Sequence, residues 1–173
     1  AFWVSIGLTF AITHLLGLPG KLVSGWQALA NLSMVHGFAG IPHVDGVYWT
    51  LEVELLFYFW MFILFILRRL DSVFFWVGIL LLLRVVYGML HAWFGIDLPF
   101  IAWRLLILEH LPWFALGLSV YALLGQGSSR GRRGRAITLA ILAIAVLALG
   151  AQPLIAALAA LLALLVLAAA SGR

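Results

Sequence analysis

The chain contains no cysteine and few charged residues, and these two absences narrow its class. Because none of the 173 residues is Cys, disulfide bonds and thiolate metal ligands are excluded. Only 9% of the residues are charged, whereas 66% are hydrophobic. A soluble domain of ordinary composition is about half apolar. The composition therefore indicates an integral membrane protein. The net charge of +4 comes mostly from two arginine clusters, which we interpret as a topology signal rather than a nucleic-acid interface.

The hydrophobic residues form six clear runs and one weak run. The clear runs span 1–18, 47–67, 72–93, 100–124, 136–151 and 153–170, and the weak run spans 26–40. Because about 20 apolar residues in a helix cross a bilayer, we predict an all-α, polytopic transmembrane helical bundle. It has six or seven membrane segments and forms one domain over residues 1–173. Two points stay open. The run 26–40 either spans the membrane or is a re-entrant or interfacial piece, and 136–170 forms either two helices with a turn at 152–153 or one long kinked helix.

Arginine predicts the orientation of these spans. Arg68 and Arg69 end the 47–67 run, and a second cluster lies two spans later in a Gly/Ser-rich loop, between Arg130 and Arg135. Two spans return the chain to the same side, and loops rich in Lys and Arg face the cytoplasm. We therefore expect an inner-membrane protein whose loops 41–46 and 94–99 face outward.

A few ionisable residues interrupt the apolar runs at similar depth. From the helical rise, Glu54 lies roughly 10 Å inside its run and Arg84 roughly 13 Å. An unpaired charge at such depth is expensive, so these groups must pair or face a cavity. We predict that they converge on one buried polar site, or else form interhelical salt bridges without chemistry. The set comprises Glu54, Arg84, Glu109 and His110.

Neighbouring residues have simpler interpretations. Tyr58 lies four residues after Glu54 and shares its helix face. Glu52 lies about 200° around the helix from Glu54, near the helix N-terminus where negative charge is favoured. Residues 36, 43 and 45 are His, His and Asp, which are suitable ligands, but their spacing is not diagnostic and we predict no metal site. For His14 a packing role is favoured.

Residues 48–58 read Tyr-Trp-Thr-Leu-Glu-Val-Glu-Leu-Leu-Phe-Tyr. This segment resembles the Trp-Ser/Thr-Leu-x-x-Glu-x-x-Phe-Tyr signature of the membrane-bound acyltransferase 3 family of bacterial O-acyltransferases. The preceding Asp-Gly-Val at 45–47 fits the same motif, and Leu-Pro-Trp-Phe-Ala-Leu-Gly at 111–117 is similar to a later aromatic-rich helix of that family. The family's glutamate maps onto Glu54. Leu55 stands where many members carry a second acid.

The resemblance implies a transferase that takes an acyl group, acetyl in our reading, from acyl-CoA. The acceptor it implies is a hydroxyl of an extracytoplasmic glycan or a similar molecule. Glu54 would be the site carboxylate, Arg84 its counter-charge, and Trp49 and Tyr58 would shape the pocket. The family's opening segment with its terminal histidine, and its cytoplasmic arginine-rich motif, have no counterpart here. We therefore expect the C-terminal part of a larger enzyme that lacks its N-terminal helices.

Two other classes of function stay open from the sequence. A transporter or permease segment would use the same layer of buried ionisable residues, Glu54, Arg84, Glu109 and His110, to carry a proton or a substrate. If the protein is instead a non-catalytic membrane scaffold, we expect each of these polar groups to have a hydrogen-bond or ion-pair partner within the protein, and no pocket beside them.

Overall fold

The computed structural model describes residues 2–18, 22–125, 129–150 and 153–171, and this part of the chain is helical without strands. Short 3-10 turns separate some of its eight α-helices, which are α1 (Phe2–Leu16), α2 (Gly25–Asn31), α3 (Trp49–Ile66), α4 (Val73–Phe94), α5 (Phe100–Leu105), α6 (Leu111–Leu124), α7 (Arg130–Leu149) and α8 (Pro153–Ser171). The all-α prediction is confirmed for these residues.

Three stretches are long and apolar enough to cross a membrane. They are Gly46–Ile66, Leu70–Phe94 and Pro153–Ala170, and each holds at least 18 helical residues. Helices α1 and α6 are also apolar but shorter. These lengths indicate a membrane protein with three candidate spans, because a helix of about 20 residues matches the hydrocarbon thickness. A total of six or seven spans stays a prediction.

The chain divides into two compact units, residues 1–63 and 64–173. In the first unit, α1 packs on α2 around Ile6, Val23 and Tyr48. The Tyr48 hydroxyl and the Ser5 hydroxyl are hydrogen-bonded at 2.6 Å. The polar tip of the tyrosine is thereby satisfied while its ring stays in the core. The expectation of one domain over 1–173 stays a prediction.

In the second unit, α4, α6, α7 and α8 pack against one another. Their contacts are built from small side chains, including Ala115 and Ser119 on α6 and Ala143 on α7, all without exposed surface. Small residues let helix backbones approach closely. Such close packing stabilises helix association in a membrane, where the lipid is as apolar as the side chains and the hydrophobic effect does not favour contact between helices. The Ala-rich tail therefore packs as two helices, α7 and α8, and the alternative of one kinked helix is wrong.

Two predicted boundaries need correction. The run 100–124 is not one helix, because residues 106–110 form turns between α5 and α6, and Ile107 adopts a positive φ of 54°. Pro112 explains the break, since proline is tolerated only in the first turn of a helix. The segment from Arg130 onward, predicted as a loop, is the first part of α7. The Ser129 hydroxyl caps that helix by accepting a hydrogen bond from the Arg132 amide.

The weak run 26–40 is also resolved into short pieces. Helix α2 covers only seven residues, and a separate 3-10 turn spans His36–Ala39. Neither piece is long enough to cross a bilayer as a helix. Of the two alternatives, the re-entrant or interfacial one fits this geometry better.

Candidate functional site

Arg84 is held by the backbone of the segment that separates α5 from α6. Its Nη1 donates hydrogen bonds to the carbonyl oxygens of Leu108, at 2.7 Å, and of Glu109. In a continuous helix the Leu108 carbonyl would accept from residue 112, which is a proline without an N–H. The Glu109 carbonyl loses its usual partner too, because the Trp113 amide bonds to His110 instead. Arg84 therefore replaces the helical hydrogen bonds that the interruption removes.

Glu109 and His110 lie in this interruption, not inside a long helix. The sequence-based estimate of their depth assumed one continuous helix over 100–124, which the structure does not form. The Glu109 side chain is exposed, and His110 is half-buried at the start of α6. The Glu109 carboxylate attracts both the Arg84 guanidinium and the His110 imidazole electrostatically. Three of the four predicted site residues are thus brought together within the second unit.

The motif residues of α3 lie in the first unit. Trp49 is the first residue of α3 and is exposed, and so are Glu54 and Tyr58, which share one face of that helix. Asp45 precedes the motif and accepts a hydrogen bond from the Val47 amide, which fixes the turn that leads into α3. A carboxylate thus projects from the uncovered side of a strongly apolar helix.

Glu52 has the opposite environment from Glu54. It lies in the first turn of α3, as the sequence predicts, but only 1% of its surface is exposed. Full burial of this carboxylate was not predicted. The signal was the helical geometry itself, because residues two apart point to different sides of a helix. When one carboxylate is uncovered, the other is directed elsewhere.

The predicted convergence of all four ionisable residues spans both units. Glu54 belongs to residues 1–63, whereas Arg84, Glu109 and His110 belong to residues 64–173. The contacts above bring the last three together. The meeting of Glu54 with them stays a prediction.

A cavity of about 400 Å³ adjoins Arg84 in the second unit. Aromatic rings of Tyr87, Trp93 and Trp103 line it, together with His91 and the C-terminal end of α7. The His91 Nδ1 lies 2.9 Å from Oδ1 of Asp97, and the Tyr87 hydroxyl donates to the same oxygen at 3.3 Å.

This cluster was not predicted from the sequence, although the sequence carries a signal for it. Residues 84, 87 and 91 are spaced by three and four, so they share one face of α4. Asp97 follows in the connection after that helix, close enough in sequence to reach back to it. Charged residues near the end of a span are inexpensive in a membrane and therefore do not by themselves indicate a site.

Two histidines of the first unit, His36 and His43, form a hydrogen-bonded pair. The His36 Nε2 and the His43 Nδ1 are 2.7 Å apart and hydrogen-bonded to each other. Beside them the buried Asn31 side chain donates to the Pro42 carbonyl and accepts from the Val44 amide, both at 3.0 Å. These bonds fasten the segment before the motif to α2. Among the residues that the structure describes, no group of three or more His, Asp or Glu side chains is placed to hold a metal ion.

Comparison with protein-family models, with curated proteins and with solved structures gives no match. The resemblance to the acyltransferase 3 family thus depends on the motif residues alone.

Proposed function

We propose that this protein is a membrane-bound O-acyltransferase, or part of one, that transfers an acyl group from acyl-CoA to a hydroxyl of an extracytoplasmic glycan or similar acceptor. The observation that carries the proposal is the motif on α3, in which Glu54 and Tyr58 lie on one uncovered face. An ionised carboxylate on an apolar helix is costly in a bilayer unless it has a partner or faces a water-filled cavity. A carboxylate kept there at such cost is best explained by a role in binding or catalysis.

The chemistry assigns a limited task to each residue. Transfer to a hydroxyl needs a general base for the acceptor and donors for the oxyanion that develops on the acyl carbonyl. Glu54 orients the acceptor or the base through hydrogen bonds. Arg84 supplies positive charge close to the polar layer. Trp49 and Tyr58 form part of the wall against which the acceptor is held.

The cavity beside Arg84 supports this function over a non-catalytic scaffold. In a scaffold, the buried ionisable residues would all have partners within the protein and no pocket would adjoin them. Arg84 is indeed satisfied by backbone carbonyls, but it also lines a cavity of about 400 Å³, a volume in the range of small-molecule sites. A transporter would use such a cavity as well, and it differs from a transferase because it forms no ester.

The proposal is tested by acetyl transfer in membranes of cells that express the protein in its full chain. Labelled acetyl-CoA is supplied, and alkali-labile label is followed into the extracted surface polysaccharide. We expect transfer with the natural protein and a loss of about 10²-fold with Glu54→Gln, which removes the charge but keeps the shape. Asp71→Asn is the matched control, because Asp71 is an exposed carboxylate in the turn before α4. Equal rates for natural protein, Glu54→Gln and Asp71→Asn would show that Glu54 has no part in the reaction. Absence of label from the natural protein would refute the function itself.

A further inference from the structure

We propose that the second unit binds one anionic glycerophospholipid between the beginnings of α4 and α7. Arg132 and Arg135 hold its headgroup phosphate, and one acyl chain lies in an apolar groove that continues from them. Every residue of this site belongs to residues 64–173. The site lies outside the motifs on α3 and α6, and no step of the proposed acyl transfer depends on it.

The headgroup part of the site is a cavity of about 320 Å³. Its described lining residues are Leu70, Asp71, Phe74, Ser129, Arg132 and Arg135. Two arginines and one aspartate give these side chains a net charge of +1. A planar guanidinium forms two parallel hydrogen bonds with a phosphate, which makes arginine a preferred partner of such groups. The cavity is therefore complementary to one singly charged phosphate.

Both guanidinium groups are available to a ligand. The side chains of Arg132 and Arg135 are exposed. Within the part of the chain that the structure describes, neither of them forms an ion pair with a carboxylate. Arg135 donates from Nε to the carbonyl oxygen of Gly131, at 3.4 Å, and this bond leaves its Nη groups as donors. The described protein groups therefore leave the positive charge beside the cavity without an ion-pair partner.

An apolar groove of about 490 Å³ continues from this cavity, and Phe74 and Arg135 line both. Along α7 the groove extends from Gly131 to Leu142, which is about 16 Å at the helical rise. This length is close to that of one leaflet, or half of a hydrocarbon core about 30 Å thick. A charged headgroup cavity and a groove as long as one leaflet are thus joined at Arg135.

Glycines line the groove on both helices. Gly78 lies on α4, and Gly131 and Gly134 lie on α7. A Cβ atom added at any of the three would meet nothing within 4 Å. These glycines are therefore not required for close packing of the helices, although glycine is unfavourable inside a helix. Their missing side chains leave room for an acyl chain beside Phe75 and Leu139.

The position of the arginines selects the class of lipid. This end of α7 is predicted to be cytoplasmic, and the cytoplasmic leaflet carries the anionic lipids. Basic pockets between membrane helices on that side bind anionic headgroups. A zwitterionic headgroup carries an additional cation that the two arginines would repel. A soluble phosphate compound would use the cavity but leave the apolar groove without an occupant.

The test is native mass spectrometry of the protein in its full chain, released from a neutral detergent. The protein is titrated with dioleoylphosphatidylglycerol, which is anionic, and with dioleoylphosphatidylcholine, which has the same acyl chains. We expect phosphatidylglycerol to bind at least about fivefold more tightly. The double substitution Arg132→Gln with Arg135→Gln should weaken its binding about 25-fold, because each arginine beside an anionic lipid contributes about fivefold.

The matched control removes the same charge from the same cluster. Arg130 and Arg133 lie on the opposite side of α7 at 100° per residue, and neither is among the described residues that line the cavity. Arg130→Gln with Arg133→Gln should change the affinity by less than about threefold, because solvent and salt screen exposed charges.

Filling the groove gives a second arm that does not alter charge. Gly134→Leu places a side chain in the groove, so phosphatidylglycerol should bind about as weakly as it does to the double arginine variant. Gly117→Leu is the control, because Gly117 is an exposed glycine on α6 whose added Cβ also meets open space. Both leucine variants should have unfolding midpoints at least as high as that of the natural protein, since leucine favours the helix more than glycine does.

The outcomes separate this site from its alternatives. Equal binding of the two lipids, or equal losses in the two double arginine variants, would show only a general basic surface and overturn the site. Unchanged lipid binding by Gly134→Leu would overturn the groove. Displacement of phosphatidylglycerol by an excess of glycerol 3-phosphate or acetyl-CoA would show a site for a soluble phosphate compound, and the lipid assignment would be wrong. The proposed acyl transfer is tested by a separate assay and stands or fails independently.

Discussion

Replacing Arg84 tests the hydrogen bonds that hold the interruption between α5 and α6. The substitution Arg84→Met keeps the length and the apolar stem of the side chain but removes the guanidinium. It deprives the Leu108 carbonyl of its donor, and Pro112 cannot supply one. Leu108 has no exposed surface, so water does not replace the lost bond easily.

The expected cost follows from these contacts. A hydrogen bond from a charged donor contributes about 1.5–3 kcal/mol, and leaving a buried acceptor unsatisfied costs about 1–3 kcal/mol. Removing the cost of placing a charge in an apolar bundle offsets part of this loss. We therefore expect Arg84→Met to lower the free energy of unfolding by about 2–4 kcal/mol. Arg84→Lys should lose roughly half as much, because an ammonium lacks the planar fork that serves two neighbouring carbonyls.

The assay is reversible unfolding in mixed micelles, in which rising dodecyl sulfate is followed by tryptophan fluorescence. Arg69→Met is the control, because Arg69 is exposed, and it should stay within about 0.5 kcal/mol of the natural protein. A double-mutant cycle sharpens the test. Pro112→Ala restores an N–H at the position that faces the Leu108 carbonyl, so Arg84→Met should cost about 1 kcal/mol less in that background. If Arg84→Met and Arg69→Met have equal stability, the guanidinium does not support the interruption and our reasoning about this site is wrong.

Two further predictions concern the first unit and the orientation of the chain. Asn31→Ala should destabilise the first unit by about 2–4 kcal/mol, because the buried amide joins α2 to Pro42 and Val44; limited proteolysis should then cut within 41–46, and an unchanged digestion pattern would contradict this role. Because the chain lacks cysteine, Asp71→Cys and Ile96→Cys each create a single thiol. An impermeant maleimide added to intact cells should label position 96 and not 71, and the reverse pattern would invert the predicted topology.

Much of the helix pattern could be predicted from the sequence. The apolar runs 47–67 and 72–93 agree with α3 and α4 to within about two residues, because a long apolar run in a membrane has no alternative to a helix. The prediction of one helix over 100–124 is wrong, and the reason is a single residue. Hydropathy does not register a single proline, whereas the missing N–H of Pro112 decides where α6 begins. The position of Pro112 in the sequence is therefore the signal that predicts the break.

The candidate site was only partly predictable. The sequence predicts that Glu54, Arg84, Glu109 and His110 converge, since buried charges need partners, and the structure brings the last three together within the second unit. The sequence did not indicate that Arg84 would bond to backbone carbonyls instead of a carboxylate, because that depends on which groups the interruption leaves without partners. The His91–Asp97 pair was not predicted, because both residues lie near the end of a span, where a charged side chain costs little free energy and needs no special explanation.

From the amino-acid sequence alone it follows that this chain is helical, apolar and without disulfides, and that a glutamate-bearing motif lies at the start of α3. These properties follow from composition and from local periodicity, which act within one turn or one span of the chain. The packing of the helices, in contrast, is needed to see that Arg84 holds the α5–α6 interruption and that Tyr87, His91 and Trp103 line one cavity. Such contacts join helices that are distant in sequence, and they depend on how small residues such as Ala115 and Ala143 let the backbones approach.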